Sequence, residues 1–334
     1  MPANIIIGGQ FGDEGKGKII SYIATKDDPE IIVRGGVGPN AGHTVVYNGE
    51  ELKLRMLPSG VINKNSKLMI SAGVLIDINV LFREIENTNS ESRVLVDNLC
   101  GIIESKHIDI DKKGHLKNKI GTTGTGTGPA QSDRILRVAK TASETPELKK
   151  LLGNVSSEVN NSLDKKEKIL IEGTQGTFLS LYHGTYPYVT SKDVTASGLC
   201  SDIGIGPKRI NEVILVIKSY TTRVGAGPLK DELTINETKK RGWQEIGTVT
   251  GRMRRAAPLN LDLIKKASIL NSATQIALTK LDILFPECKG ITKISELTPE
   301  AHKFIKDIEN FVKIPITLIG TGKDNSEIID IRNS

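Results

Sequence analysis

The stretch Gly8-Gly9-Gln10-Phe11-Gly12-Asp13-Glu14-Gly15-Lys16-Gly17-Lys18 follows the short apolar run Asn4–Ile7. Closely spaced glycines let the backbone approach a ligand, and a helix that begins after them directs its N–H groups and dipole at phosphate oxygens. The pattern predicts a strand, a phosphate loop and a helix; an ordinary strand-to-helix turn is the alternative. Gly12–Lys18 formally matches GxxxxGK, but Ile19 stands where a P-loop has Ser or Thr for magnesium. Asp13 instead puts a carboxylate inside the loop, which suggests metal ligation or proton abstraction.

Five other β-branched runs are each followed by a glycine-rich or polar loop. Short, nearly continuous apolar runs are typical of parallel strands buried on both faces, whose ligands bind beyond the carboxyl ends of the strands. We therefore expect an α/β fold with a large central, mostly parallel sheet, in which these loops form one functional edge. The five runs are Ile31–Arg34, Lys168–Glu172, Val213–Ser219, Gln275–Thr279 and Ile314–Ile319.

Local signals predict the elements around this sheet. Asn48-Gly49 between two apolar runs predicts a β-hairpin, so the fold should include small antiparallel excursions. Thr298-Pro299-Glu300 is typical of a helix N-terminus, and the apolar spacing after it predicts a helix that reaches Val312. The polar segments Ile110–Lys119 and Thr141–Lys166 are expected to be surface excursions.

Composition narrows the class of protein. Apolar residues make up 38% and charged residues 25% of the chain, with a net charge of +6, which excludes disorder. We expect residues 1–334 to form a single domain, because no repeat or linker divides them. No apolar run approaches the ~18 residues of a membrane helix, and no secretory signal is visible. Three widely spaced cysteines give no disulfide framework, so a cytoplasmic location is expected.

The excess of basic residues favours anionic partners such as phosphates and nucleotides. A nucleic-acid-binding protein would cluster its basic and aromatic side chains. Here the positive charges are scattered or lie in glycine-rich loops, and aromatic residues make up only 4% of the chain. Neither a nucleic acid nor a membrane is therefore expected as a partner.

Two further glycine-rich loops carry residues suited to proton or phosphate chemistry. Gly35–Thr44 contains His43, and histidine transfers protons near neutral pH, although a lone histidine is usually structural. Gly121–Pro129 alternates glycine with threonine and is followed by Arg134 and Arg137, three apart on one face of an expected helix. The arginines favour an anion site in this loop over a flexible surface segment.

Two later loops carry charged residues. Thr248–Arg255 sets alternate arginines beside glycine and threonine, where they can clamp a carboxylate or phosphate, with a solvated face as the alternative. Thr279-Lys280-Leu281-Asp282 follows a predicted strand, in the pattern of guanine readers. The Asp282 carboxylate can accept hydrogen bonds from both N1–H and the 2-amino group of guanine, which adenine does not offer.

In chain order, these loops resemble the adenylosuccinate synthetase family, which joins IMP and aspartate with GTP in AMP synthesis. The matching stretches run from Gly12 to Asp324 in the order of the family. The chain resembles a short form, compact between Arg137 and Lys168 and again after Asp282. The matching stretches are GDEGKGK, NAGHT, IGTTGTGTGPA, EGTQGT, HGTYPYVTS, TRVGAGP, TGRMRR, LTKLD and GTGKD.

The resemblance implies P-loop NTPase-like nucleotide binding and a ligase that forms a C–N bond through 6-phosphoryl-IMP. IMP, GTP and L-aspartate are the implied substrates, and a homodimer is the implied assembly. Asp13 would take the N1 proton of IMP, His43 would be its acid partner, and Lys16 would neutralise phosphate charge. The implied cofactor is Mg2+, held by Asp13 and the carbonyl of Gly42.

The resemblance also implies three sets of binding residues. The GTP set is Gly12, Asp13, Glu14, Gly15, Lys16, Gly17, Lys18, Gly42, His43, Thr44, Arg254, Lys280, Leu281, Asp282, Gly320, Thr321 and Gly322. The IMP set is Asp13, Glu14, Gly15, Lys16, Asn40, Ala41, Gly42, His43, Thr123, Gln175, Thr190, Arg252 and, reaching the site of the neighbouring subunit, Arg137. The aspartate set is Thr248, Val249, Thr250, Gly251, Arg252, Met253 and Arg254.

A regulatory GTP-binding switch is the alternative hypothesis, because it shares a phosphate loop and a guanine reader. Such a protein needs GK[ST] and a DxxG motif at the end of a strand. Lys18-Ile19 does not match the first requirement. Asp111-Lys112-Lys113-Gly114 matches the second only formally, in a polar turn.

Overall fold

The computed structural model describes residues 3–247 and 251–332. Three residues of the expected aspartate set, Thr248, Val249 and Thr250, lie outside the described residues. The strands are β1 (Ala3–Gly8), β2 (Ile31–Arg34), β3 (His43–Tyr47), β4 (Glu50–Leu54), β5 (Lys67–Ile70), β6 (Leu75–Ile76), β7 (Val94–Asp97), β8 (Gly101–Ile102), β9 (Leu152–Gly153), β10 (Ile169–Glu172), β11 (Ile210–Lys218), β12 (Thr221–Arg223), β13 (Arg255–Ala257), β14 (Gln275–Thr279), β15 (Ile316–Gly320) and β16 (Ile328–Asp330). The helices are α1 (Lys16–Asp27), α2 (Ile78–Thr88), α3 (Ser105–Asp111), α4 (Thr127–Leu136), α5 (Val155–Asp164), α6 (Ala196–Ile203), α7 (Ile235–Lys240), α8 (Leu261–Asn271), α9 (Leu281–Leu284) and α10 (Pro299–Val312).

Ten strands form one sheet, in the order β16-β15-β14-β11-β1-β10-β2-β5-β7-β9. All neighbouring pairs in it are parallel except β15 and β16. The six predicted strands are adjacent, from β15 to β2, so the loops that follow them meet at one edge. Small antiparallel pairs join β3 to β4 and β12 to β13. The predicted α/β fold with a mostly parallel sheet and antiparallel excursions is confirmed.

The apolar runs build this sheet because it is covered on both faces. In β1, Ile5 and Ile7 pack into one hydrophobic cluster and Ile6 into the other, and all three are fully buried. Alternate side chains of one strand therefore serve two cores, as expected for a parallel strand between two layers. Among the described residues, no helix combines the length and the apolarity that a membrane crossing needs.

Two local predictions are confirmed and one is wrong. The hairpin turns at Asn48-Gly49, and the Thr298 side chain caps α10 by accepting a hydrogen bond from the Ala301 N–H at 3.3 Å. Thr141–Lys166 is not a surface excursion, because it supplies the edge strand β9 and the core-facing helix α5. The buried apolar residues of helix α5 recur every four positions, the spacing of one helix face, and the rest of the helix is polar. They are Val155, Val159 and Leu163.

Candidate active site

A cavity of about 1150 Å3 opens where the carboxyl ends of β1, β2, β10 and β14 meet. Most residues predicted to bind substrates line it, although they come from loops far apart in the sequence. The predicted residues on its wall are Gly12, Asp13, Gly15, Lys16, Gly17, Lys18, Asn40, Ala41, Gly42, His43, Thr44, Thr123, Gln175, Thr190, Gly251, Arg252, Arg254, Lys280 and Gly322.

The phosphate loop is held from beneath by Glu14. Its buried carboxylate accepts hydrogen bonds from the backbone N–H groups of Gln10 at 3.0 Å and Gly12 at 2.8 Å. Lys16 Nζ lies 2.7 Å from the same carboxylate and also donates to the Gln175 carbonyl. Glu14 does not line the cavity, because its carboxylate is committed to the loop, and its implied role in binding GTP and IMP stays a prediction. Its carboxylate stabilises the conformation of the loop.

Left-handed backbone conformations occur at and around Asp13, which lines the cavity. Gly12 and Gly15 have φ values of 87°, and Asp13 itself has a φ of 62°. A residue other than glycine is rarely left-handed, and such strain is concentrated at functional sites. The loop thus turns sharply around Asp13 before α1 begins at Lys16.

A chain of charges extends from Asp13 into the protein. Arg254 Nε lies 2.8 Å from Asp13 Oδ2, and its NH1 contacts Glu245. Glu245 in turn lies 2.9 Å from the buried Lys218 Nζ and accepts from the Tyr220 hydroxyl. Burial raises the pKa of Asp13, and Arg254 opposes that shift. Burial would also raise the pKa of Glu245, but Lys218 and Arg254 hold it at about 2.

His43 lies in a second buried cluster, which the sequence analysis missed. Its Nδ1 contacts the Glu172 carboxylate, and Ser59 Oγ lies 3.2 Å away. Glu172 also accepts from Arg34 NH1 at 2.8 Å, from Ser59 N at 2.6 Å and from Ser59 Oγ at 2.9 Å. Burial lowers the pKa of His43, whereas Glu172 opposes that change. One sequence signal for this cluster was available. Each of two apolar strands ends in a charged residue, β2 in Arg34 and β10 in Glu172.

The predicted guanine-reading segment lies at the end of β14. Lys280 lines the cavity and has a φ of 62°, and α9 begins directly after it. Asp282 does not itself line the cavity, and its buried Oδ1 has no hydrogen-bond partner among the described residues. Burial raises the pKa of Asp282, and Lys280 opposes the rise. Leu281 and Thr321 are buried, while Gly320 packs against Lys18 and Thr279.

Arg223 is a second residue that the sequence analysis missed. Its side chain is buried and donates to the carbonyls of Ala226 and Pro228 at 3.0 Å and of Tyr188 at 2.9 Å. Its guanidinium carbon also lies 4.5 Å from the ring centroid of Phe11. Arg223 lines the cavity and ties three of its loops together through hydrogen bonds to backbone carbonyls.

Arg137 lies outside the cavity. Helix α4 ends at Leu136, and Arg137 follows as its left-handed C-cap with a φ of 64°. Arg134 and Arg137 therefore do not share a helix face, contrary to the prediction, because the chain leaves the helix between them. Large apolar side chains beside Arg137 are exposed. They are Ile135, Leu136 and Val138.

The formal DxxG match does not behave as a switch motif. Asp111 is the last residue of α3, not the end of a strand, and its carboxylate accepts from the Gly126 N–H at 2.9 Å. That contact holds the N-cap of α4, within the glycine–threonine loop, against α3. Arg252 braces the same region, since its NH2 donates to the Gly121 carbonyl at 2.8 Å. Met253 is exposed and does not line the cavity.

Comparison with known proteins identifies this arrangement. The sequence matches the profile of the adenylosuccinate synthetase family over residues 5–144 and 137–289. The chain belongs to the adenylosuccinate synthetase family. It is thus a GTP-binding ligase of purine biosynthesis that converts IMP to adenylosuccinate, and nothing in the comparisons supports the alternative of a regulatory switch.

Relatives match over nearly the full length. Adenylosuccinate synthetase of Methanocaldococcus jannaschii is 54% identical, with 100% of this chain and 98% of the relative covered. That of Archaeoglobus fulgidus is 52% identical, with 99% of both chains covered. The fully ligated adenylosuccinate synthetase from Plasmodium falciparum superposes with a TM-score of 0.92 at 28% identity, covering 99% of this chain and all of the other. A cyanophage S-2L succinoaminodeoxyadenylate synthetase, bound to dGMP and to dATP as an energy donor, has a TM-score of 0.84 at 25% identity, with 99% and 95% coverage.

Proposed function

We propose that the cavity joins IMP to L-aspartate in two steps, with Asp13 and His43 acting on the first. Asp13 takes the N1 proton of IMP, which makes O6 nucleophilic. The O6–P bond to the γ-phosphoryl group of GTP then forms as the bond to the β-phosphate oxygen breaks, and GDP leaves. In the second step the aspartate amine attacks C6, loses a proton and displaces phosphate from 6-phosphoryl-IMP.

The observation that carries this proposal is the presence of a carboxylate and a buried histidine on the wall of one cavity beside a phosphate loop. Asp13 stands between the glycines that would approach the phosphates, so one side chain can serve both the purine and the phosphoryl group. His43 faces negative charge that develops on the transferring group. Lys16 and the helix N-terminus behind it add positive charge there, as phosphoryl transfer requires.

The donor groups present fit Mg2+. Asp13 offers a carboxylate and Gly42 a carbonyl, and both line the cavity. No group of three or more His, Cys, Asp or Glu side chains suited to a metal occurs among the described residues. Mg2+ is typically bound by one or two carboxylates together with substrate phosphates, not by an all-protein cage. When bound, the ion would neutralise phosphate charge.

The remaining binding roles are assigned from the positions of the predicted residues relative to the cavity. Asn40, Thr123, Gln175, Thr190 and Arg252 would hold IMP, since all five line the cavity. Lys280 and Asp282 would read guanine, supported by the unpartnered Asp282 oxygen. Gly251–Arg254 with the preceding residues would bind aspartate, Met253 through its backbone. The phosphate loop would contact GTP and IMP through backbone N–H groups and Lys16.

We further propose a homodimer of single-domain subunits in the cytoplasm, with Arg137 reaching the IMP phosphate of the partner. Arg137 lies away from the cavity of its own chain, among exposed apolar side chains that an interface would cover. One continuous sheet supports a single domain over residues 1–334. The three cysteines, Cys100, Cys200 and Cys288, are free and buried, as suits a reducing compartment.

The test is an assay of purified protein with IMP, L-aspartate, GTP and Mg2+, monitored for adenylosuccinate. Omission of each component in turn, with EDTA in place of Mg2+, should abolish product formation. Positional isotope exchange in 18O-labelled GTP, measured without aspartate, reports the phosphoryl transfer alone. Product formation without any isotope exchange in the presence of IMP would contradict the two-step scheme.

A further inference from the structure

We propose that Glu172 is a positioning residue for His43, which holds the imidazole ring with Nδ1 toward its carboxylate and Nε2 toward the cavity. The inference rests on the proposed role of His43 in phosphoryl transfer. It assigns a function to a buried carboxylate that does not line the cavity. Glu172 is fully buried at the end of β10, in register with Arg34 of β2.

The hydrogen bonds around the ring determine which nitrogen is available. An ionised carboxylate only accepts, so the nitrogen that contacts Glu172 must be the donor, and Nδ1 carries a hydrogen. Nε2 is buried and has no hydrogen-bond partner among the described residues, although His43 lines the cavity. A buried nitrogen without a hydrogen-bond partner costs free energy unless a ligand forms a hydrogen bond with it. Nε2 is therefore the atom that His43 presents to substrate.

The surroundings of Glu172 keep it ionised and fixed. Burial alone would raise the pKa of Glu172, but His43, Arg34 and the Ser59 N–H together hold it below its usual range. Both carboxylate oxygens are engaged, Oε2 by Ser59 N and Oε1 by Arg34, Ser59 Oγ and His43. A carboxylate held in this way cannot rotate away from the ring. It fixes Nδ1 as the protonated nitrogen of the neutral ring, in which Nε2 is an acceptor. It also stabilises the doubly protonated, positively charged ring, which is the form in which Nε2 can donate a hydrogen bond or proton to the transferring phosphoryl group.

The test compares Glu172→Gln with Glu84→Gln. Glu84 is a matched control, since it is a buried carboxylate that accepts three backbone N–H bonds, from Arg55, Met56 and Leu57, at 2.7–3.0 Å. It lies on α2 and does not line the cavity. Glu172→Gln should lower kcat and isotope exchange at least about 10²-fold, as for loss of acid–base assistance, with KM for GTP and IMP within about threefold. Glu84→Gln should lower stability but leave kcat within about twofold, because it lies outside the acid–base pair.

Nuclear magnetic resonance gives a readout that is independent of activity. The chain has five histidines, so 15N-histidine labelling, with His43→Asn for assignment, isolates the His43 ring. The wild type should show Nδ1 protonated, and Glu172→Gln should shift that ring toward the other tautomer. If Glu172→Gln does not fold, Glu172→Asp supplies the same two measurements, with the ring displaced and kcat reduced.

The outcomes separate this inference from the proposed function. If His43→Asn itself leaves isotope exchange unchanged, the proposed role of His43 fails. If His43→Asn slows exchange but the folded Glu172 variants keep both the wild-type rate and the wild-type ring spectrum, the positioning role alone is overturned. A uniform loss of stability in the Glu172 and Glu84 variants, with kcat preserved in both, would also overturn it.

Discussion

At the scale of single residues, the position of Asp13 leads to a direct prediction. Asp13→Ala should abolish turnover while the fold remains intact, because the variant lacks the carboxylate that we propose takes the N1 proton of IMP. The expected loss is at least the ~10²–10⁴-fold typical of removing a general base. The measurement is adenylosuccinate formation, with circular dichroism as the check on folding. Turnover near that of the wild type would refute the assignment.

Asp282 should select the base of the nucleotide. Asp282 follows β14 by three residues, and its Oδ1 has no hydrogen-bond partner among the described residues, so a guanine with two adjacent donors would supply the missing hydrogen bond. Asp282→Asn replaces one acceptor oxygen with a donor amide, which should favour xanthine, whose 2-position carries a carbonyl. The experiment compares turnover with XTP and GTP. A preference for GTP equal to that of the wild type would mean that another loop reads the base.

Glu172 and Arg34 could not be predicted from the sequence for the same physical reason. Glu172 and Arg34 each close an apolar strand, but only the strand order brings them into register beside His43. Strand order depends on packing across the whole chain, which no local pattern encodes. Asp13 and His43 could be predicted as site residues because each lies in a glycine-rich loop, a local pattern typical of ligand binding. Their catalytic roles stay predictions until the variants are measured.

At the scale of elements, the N-cap of α10 gives a test that does not touch the cavity. Thr298→Ala removes the oxygen that accepts from the Ala301 N–H, which should cost about 1 kcal/mol of stability. The expected fall in Tm is at most about 2–4 °C, with kcat unchanged. Thr298→Ser retains the oxygen and serves as control. A serine variant as destabilised as the alanine variant would show that the methyl group, not the cap, matters.

Element prediction succeeded where pattern and length agreed. The strands β1, β2, β10, β11, β14 and β15 were each marked by an apolar run followed by a loop of glycine or polar residues. Strand β9 has only two residues, too few for any periodicity to predict. Helix α5 was hidden because three apolar side chains on one face are a small part of a polar segment. Burial of that face against the sheet, not helix propensity, stabilises it.

At the scale of the whole molecule, the proposed role of Arg137 at the partner's site predicts complementation between subunits. One inactive variant lacking Arg137 and another lacking Asp13 should recover activity when mixed, because each heterodimer holds one site with both residues intact. Statistical pairing in a symmetric dimer should restore about a quarter of the wild-type activity. Mixing wild type with either variant controls for subunit exchange. Purified heterodimers as inactive as the parents would mean that Arg137 acts within its own chain.

The contact between Arg254 and Asp13 has a thermodynamic consequence for the order of events in the cavity. Each of these charges is the other's counterion before substrates arrive. An anion that engages Arg254 lowers the cost of releasing Asp13, and a partner that engages Asp13 lowers the cost of releasing Arg254. Linkage makes this effect reciprocal, so we predict that a ligand of Arg254 and a ligand of Asp13 raise each other's affinity by the same factor. The ion pair would thereby couple the binding of two different substrates within one subunit.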